Sequence, residues 1–180
     1  MDVITTPIDG LLILRPDVYR DHRGYFLETW NKKRYVEAGI DCEFVQDNHS
    51  ASTKGVLRGI HFQKVYPQGK LISVSAGLVY DVAVDLRQGS PTFGQWFGTY
   101  LDTEKHEQFW LPPGMGHAFC VLSNTANFHY KCTDYYHPGD EKTIIWNDPD
   151  LAITWPSSEP IISDKDARAP TLKEWMASDA

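Results

Sequence analysis

Short runs of β-branched and aromatic residues recur along this chain, with Gly, Pro, Asn or Asp in the gaps between them. They cover Leu11 to Leu14, Gly24 to Glu28, Val56 to His61, Leu71 to Ser75, Leu78 to Leu86, Phe109 to Leu111, His117 to Leu122, Asn127 to Thr133 and Thr143 to Trp146. Within the body only Asn31 to Ala38 has helical character, and Gly39 stands where a helix C′ glycine belongs. Many short strands at near-regular spacing predict an all-β sandwich or barrel with few helices, not an alternating βα fold. No repeat, low-complexity tract or linker divides the chain, so residues 1–180 read as one domain. The tail after Pro170 is weakly helical, suited to packing on the outside or to fraying.

Parity within the strands sharpens this picture. Tyr80, Val82, Val84 and Leu86 share one parity while Asp81, Ala83, Asp85 and Arg87 share the other, which predicts one apolar and one polar face. Arg58 and His61 differ in parity, so a regular strand would send them to opposite faces. Gly59 between them is placed to host a bulge that turns both into one cavity. Lys70 opens the next run. Unpaired charge is heavily penalised in a core, so these basic residues within adjacent strands predict a polar cavity lined by a sheet.

Composition narrows the function. A net charge of -7 argues against broad binding to nucleic acid or anionic membrane, so any anion site must be local. Hydrophobic content of 42% and charge of 23% suit a soluble globular protein. No run of about 18 apolar residues is present to span a bilayer. Met1 to Pro7 lacks the basic region and apolar core of a signal peptide. Cys42, Cys120 and Cys132 form no CxxC pattern and read as reduced thiols, two of them buried, in a cytoplasmic protein.

His61 is the candidate base, because an unperturbed imidazole titrates near neutrality. A lone strand histidine is more often tied to a backbone carbonyl, so its neighbours decide the matter. Lys70 is suited to stabilising an oxyanion, and Tyr130 offers a hydroxyl acid from another strand, although strand tyrosines usually pack. Leu111 to His117 resembles the second half of a cupin metal motif. The first half reads His61-Phe62-Gln63 where His-x-His is needed, and a single remaining histidine does not make a transition-metal site. No metal is therefore predicted, which leaves acid–base catalysis or plain binding. Arg23 beside Tyr25 and Phe26 suits a phosphate and a ring, or a turn in solvent. Gln46 to Ser50 groups amides able to read a pyrimidine edge, or forms a polar turn. Tyr135-Tyr136 offers a ring for stacking, or for packing.

Together these segments resemble the dTDP-4-dehydrorhamnose 3,5-epimerases, a metal-free cupin-type family. The resemblance runs from about Ile4 to Pro170. It is carried by Asp-x-Arg-Gly-x-Phe-x-Glu at 21–28, Phe-Val-Gln-Asp-Asn-His-Ser at 44–50 and Gly-Val-Leu-Arg-Gly-Ile-His-Phe-Gln at 55–63. Asp-Val-Ala-Val-Asp-Leu-Arg at 81–87, Ser-Pro-Thr-Phe-Gly at 90–94, Trp-Asn-Asp-Pro at 146–149 and Ser-x-Lys-Asp at 163–166 follow in order.

The resemblance implies a homodimer of jelly-roll subunits, of the double-stranded β-helix type, acting on a dTDP-sugar without cofactor. It implies His61 as general base oriented by Asp166, Tyr130 as general acid and Lys70 near the substrate ketone. Binding roles fall to Arg23, Phe26, Glu28, Gln46, Asn48, Arg58, His117, Glu141 and Lys165, with Tyr136 stacking on the thymine. Ala118 replaces a usual glycine, and Lys64 to Gly69 holds fewer prolines than usual. A single-centre epimerase or a 3,4-ketoisomerase on a related nucleotide sugar is the alternative within this fold. A non-catalytic sugar-binding cupin is the alternative outside catalysis, and the presence of both base and acid disfavours it.

Overall fold

The structure, a computed structural model, describes residues 1–178. In chain order the elements begin with strands β1 (Asp2–Thr5), β2 (Leu12–Arg15), β3 (Val18–Asp21) and β4 (Gly24–Leu27), then helix α1 (Lys32–Glu37). Strands β5 (Gln46–Thr53), β6 (Leu57–Gln63), β7 (Lys70–Ala76), β8 (Leu78–Asp85) and β9 (Trp96–Asp102) follow. The chain continues through β10 (Gln108–Leu111), β11 (Met115–Val121), β12 (Thr125–Cys132) and β13 (Glu141–Thr143), and ends in α2 (Asp164–Ala167) and α3 (Leu172–Ser178).

A six-stranded sheet of order β1-β2-β10-β7-β12-β5 faces a five-stranded sheet of order β13-β6-β11-β8-β9, and β3-β4 forms a separate hairpin. The strand pairings are antiparallel, and the sandwich is the expected jelly roll.

Period-two alternation distributes the apolar side chains over three layers. Ile72 and Val74 of β7, Phe109 and Leu111 of β10 and Phe128 of β12 meet Val79, Ala83, Phe119 and Val121 between the sheets. Leu71 and Trp110, of opposite parity, join Tyr35 and Ile40 in a second cluster under α1. Val82 and Val84 of β8 meet Ile144, Leu151, Leu172 and Trp175 on the outside of the five-stranded sheet. The C-terminal tail is therefore packed, with Leu172 and Trp175 of α3 buried. Lys70 shares the parity of Ile72 and so faces inward.

The structure corrects several sequence-based boundaries. The strand expected over Thr143 to Trp146 is paired with β6 over Glu141–Thr143. Ile144 still exchanges both backbone hydrogen bonds with Ile60, at 3.1 and 3.0 Å, and the chain turns away at Ile145, whose N donates to Pro170 O at 2.9 Å. Strands β1, β3, β5 and β9 carry no expected run. The alternative of a polar turn at Gln46 to Ser50 is replaced by β5, paired along its length with β12. The predicted helix forms as α1, with the Asn31 side chain accepting from Arg34 N and Gly39 at φ +91° just after it. The polar parity of β8 is present but buried, with Asp81 and Asp85 both fully enclosed.

Candidate active site

The bulge anticipated at Gly59 is present. Against β11, Arg58 faces Phe119 and His61 faces His117, so Gly59 and Ile60 together oppose Ala118. Gly59 adopts φ +120°. A Cβ there would stand 2.5 Å from the Ala118 Cβ and 2.5 Å from the His117 carbonyl oxygen, so the alanine at 118 fits because its neighbour is bare.

His61 is completed by a segment far along the chain. Val56 forms a parallel bridge with Ile161, and Leu57 N donates to Ile161 O at 2.9 Å. This lays the chain against β6 and sets α2 beside the histidine. Ser163 caps α2 by accepting from Asp166 N at 3.1 Å. The Asp166 carboxylate is 2% exposed and lies 2.6 Å from His61 Nε2, with Gly59 N donating to its second oxygen at 3.4 Å. Burial works against the charge on Asp166, but the imidazole hydrogen bond and the neighbouring donors hold its pKa below the ordinary value. An ionised carboxylate accepts, so Nε2 carries the proton and Nδ1 is left with its lone pair.

The facing sheet supplies the other reactive groups. Lys70 and Cys132 are directly opposed across β7 and β12, and Tyr130 shares the inward parity of Phe128 and Cys132. Lys70 Nζ lies 5.8 Å from the centre of the Tyr130 ring. Burial pushes the Lys70 ammonium below its usual pKa, against the opposing influence of Cys132, Asp81 and Glu141. Burial also pushes the Tyr130 phenol up to about 12, with Cys132 and Glu141 adding to the rise. Tyr130 is therefore protonated throughout the neutral range. His117 Nε2 sits 3.0 Å from Asp81 Oδ1, and burial lowers its pKa more than the aspartate raises it.

A polar rim joins these walls. Glu141, opposite Gln63 across β13 and β6, pairs with Lys165 of α2 and accepts from the Tyr136 hydroxyl at 3.1 Å. Burial opposes the charge on Glu141, yet Lys165 keeps its pKa below the ordinary value. Gln46 donates to Asn48 Oδ1 at 3.1 Å and accepts from Tyr136 N at 2.9 Å. Arg58 Nε donates to Ser52 Oγ at 3.1 Å.

Thus His61, Asp166, Arg58, His117, Glu141 and Lys165 belong to the five-stranded sheet and its C-terminal attachment, while Lys70, Tyr130, Gln46 and Asn48 come from the six-stranded sheet. Arg23, Phe26 and Glu28 make their contacts elsewhere. Arg23 has a side chain 79% exposed and pairs with Asp21 at the hairpin turn. Phe26 is 69% exposed on β4, and Glu28 accepts from Asn31 and pairs with Arg34 at the start of α1.

Sequence reasoning gave no role to Asp81 or Ser52, although both engage predicted site residues. Asp81 lay within a marker segment, and its signal was an acidic residue on a strand too apolar to be solvent-exposed. Among the described residues no group of three or more His, Cys, Asp or Glu is arranged to hold a metal ion.

A family model described as dTDP-4-dehydrorhamnose 3,5-epimerase matches residues 5–174. A relative of that name from Shigella flexneri is 51% identical over 168 residues, covering 92% of this chain and 93% of the relative. One from Neisseria gonorrhoeae is 49% identical over 172 residues, and there the match spans 95% of this chain but only 52% of the relative. A crystal structure of dTDP-6-deoxy-D-glucose-3,5-epimerase from Legionella pneumophila Philadelphia 1, in complex with dTDP-4-keto-L-rhamnose, is similar with a TM-score of 0.93. It is 55% identical, with 96% of this chain and 93% of that one covered.

Proposed function

The chain belongs to the dTDP-4-dehydrorhamnose 3,5-epimerase family, and on that premise we propose that His61, Lys70 and Tyr130 carry out the double epimerisation of dTDP-4-dehydro-6-deoxy-D-glucose to dTDP-4-dehydro-L-rhamnose. The observation that carries this reading is the pair formed at 2.6 Å by Asp166 of α2 and His61 Nε2 of the five-stranded sheet, with Lys70 and Tyr130 on the six-stranded sheet. Inversion needs a proton removed from one face of the sugar ring and returned from the opposite face. A sandwich with its base on one wall and its acid on the other meets that requirement.

In the 4-keto sugar both C3 and C5 adjoin the carbonyl, so one oxygen acidifies both C–H bonds. His61 Nδ1 takes the proton while ionised Asp166 stabilises the imidazolium that results. The electron pair of the broken C–H bond passes into an enolate whose charge on O4 is met by Lys70, in a site where burial strengthens the interaction. Tyr130 returns a proton to the far face, and before the second carbon reacts His61 releases its proton to solvent and Tyr130 recovers one from it. Each cycle moves protons only, so electron balance requires no redox carrier. A single base serving both carbons requires the sugar to shift or flip between steps.

For binding, Tyr136 stacks on the thymine, and Arg58, Gln46, Asn48, His117, Glu141 and Lys165 hold the polar groups of the nucleotide sugar. Arg23 and Phe26 stand on an exposed hairpin, and a homodimer gives that hairpin a place to act, against the open site of a second copy. Sedimentation should then give twice the monomer mass. A cytoplasmic location fits three free cysteines and described helices none of which is long and apolar enough to cross a membrane. The catalytic assignment is tested by His61→Ala, which should abolish solvent deuterium uptake at both C3 and C5. Uptake surviving at either carbon contradicts a shared base.

A further inference from the structure

We infer that Gln63 is a positioning residue that holds the Tyr136 platform in register with the catalytic histidine. Gln63 occupies the strand position two beyond His61 and is 5% exposed. Its side chain brackets Tyr136 on both sides. Nε2 donates to Tyr135 O at 3.1 Å, and Oε1 accepts from His137 N at 2.7 Å. The second Nε2 hydrogen goes to Tyr66 O at 2.7 Å, which ties in the loop that follows β6. Both amide hydrogens and one lone pair are thereby used. The primary amide acts as a neighbouring peptide group would, giving an irregular segment the pairing that a strand provides.

Tyr136 needs such a device. Its ring is 48% exposed on a segment without regular secondary structure. A ring that stacks only after its loop has been ordered loses affinity to the ordering cost. Gln46, accepting from Tyr136 N, fixes the remaining amide between the two groups that Gln63 holds. Because Gln63 and His61 share one strand, the platform and the base move together. The register of nucleobase to reacting carbon is then set within β6 itself.

The inference rests on the stacking role given to Tyr136, and its test separates the two. Gln63→Met keeps the volume and removes the amide. It should weaken binding of dTDP by roughly tenfold, the scale of a lost pre-organised contact, and raise KM similarly. At saturating dTDP-4-dehydro-6-deoxyglucose, kcat should stay within about threefold, since the amide touches no reacting atom. Adding Gln63→Met to Tyr136→Ala should cost no further dTDP affinity. Unchanged affinity in Gln63→Met beside weakened binding in Tyr136→Ala overturns the positioning role alone. Unchanged affinity in Tyr136→Ala overturns the stacking role, and the inference with it. A fall in kcat as large as the fall in kcat/KM assigns Gln63 to the base and contradicts the inference. Should Gln63→Met fail to fold, the wild-type enzyme still decides: without nucleotide, the His137 amide should exchange with solvent at least about tenfold more slowly than in an unfolded peptide. Exchange at the unfolded rate would overturn the proposal.

Discussion

Replacing Asp166 by asparagine isolates what its charge does for His61. The carboxylate is 2% exposed and 2.6 Å from Nε2, so asparagine fits the space while removing the negative charge that favours imidazolium. A hydrogen bond to a charged group contributes about 1.5–3 kcal/mol, which corresponds to a loss of roughly 10- to 150-fold in kcat. The amide can also turn its NH2 toward Nε2, which moves the ring proton to Nδ1 and removes the base. In a serine-protease triad the corresponding wrong tautomer costs on the order of 10⁴-fold, which sets the upper bound. Initial rates of deuterium uptake at saturating substrate measure the loss, and calorimetry with dTDP should show affinity within about twofold of wild type. The pH dependence has a definite sign. The pKa of Asp166 is held below 3.8, so its contribution to stability is present above that value and fades as pH falls through the folded pKa. The stability difference between wild type and Asp166→Asn should thus shrink as pH falls below about 4. A kcat loss under about threefold, or one matched by lost dTDP affinity, would refute the dyad.

Other perturbations probe the remaining parts. Tyr130→Phe should reduce inversion more than deuterium uptake, because proton removal survives; equal losses would make Tyr130 a packing residue. Lys70 loses its proton below the ordinary lysine value of 10.5 while Tyr130, at about 12, keeps its own, so the alkaline fall in kcat should begin below pH 10.5. Lys70→Arg keeps the charge and should move that fall upward; an unmoved limb would show that another group causes it. Gly59→Ala should destabilise the protein by at least about 1–3 kcal/mol in urea melts, given the 2.5 Å approach to Ala118 and the left-handed φ, and a change under about 0.5 kcal/mol would discount the bulge.

Much of the fold follows from local pattern. The strands flanking the core alternate or run apolar, and the parity mismatch of Arg58 and His61 marks the bulge. What escaped detection did so for physical reasons. Strand β5 reads Gln-Asp-Asn-His-Ser-Ala-Ser-Thr because its less exposed face, Gln46, Asn48, Ser50 and Ser52, meets polar partners such as Tyr136 N, Cys132 Sγ and Arg58 instead of an apolar core. Its composition therefore imitates a loop. Strand β9 is interrupted by Gly98, which is bare because the Tyr80 ring occupies the place of its Cβ. The base, the lysine and the acid were legible as charges and hydroxyls inside strands. The partnership of His61 with Asp166 spans 105 positions and depends on the bridge at Ile161, which local pattern does not encode. The place of Arg23 and Phe26 on a separate hairpin is likewise a tertiary fact.

The central claim is that one base and one acid invert two carbons of the same keto sugar. Its most direct test is to incubate the wild-type enzyme with dTDP-4-dehydro-6-deoxy-D-glucose in D2O, with and without chelator, and to follow C3 and C5 by proton NMR. Deuterium should appear at both positions in the dTDP-4-dehydro-L-rhamnose formed, at the same rate with chelator present. Deuterium confined to C3, or exchange that stops on metal removal and returns with a divalent ion, would contradict it.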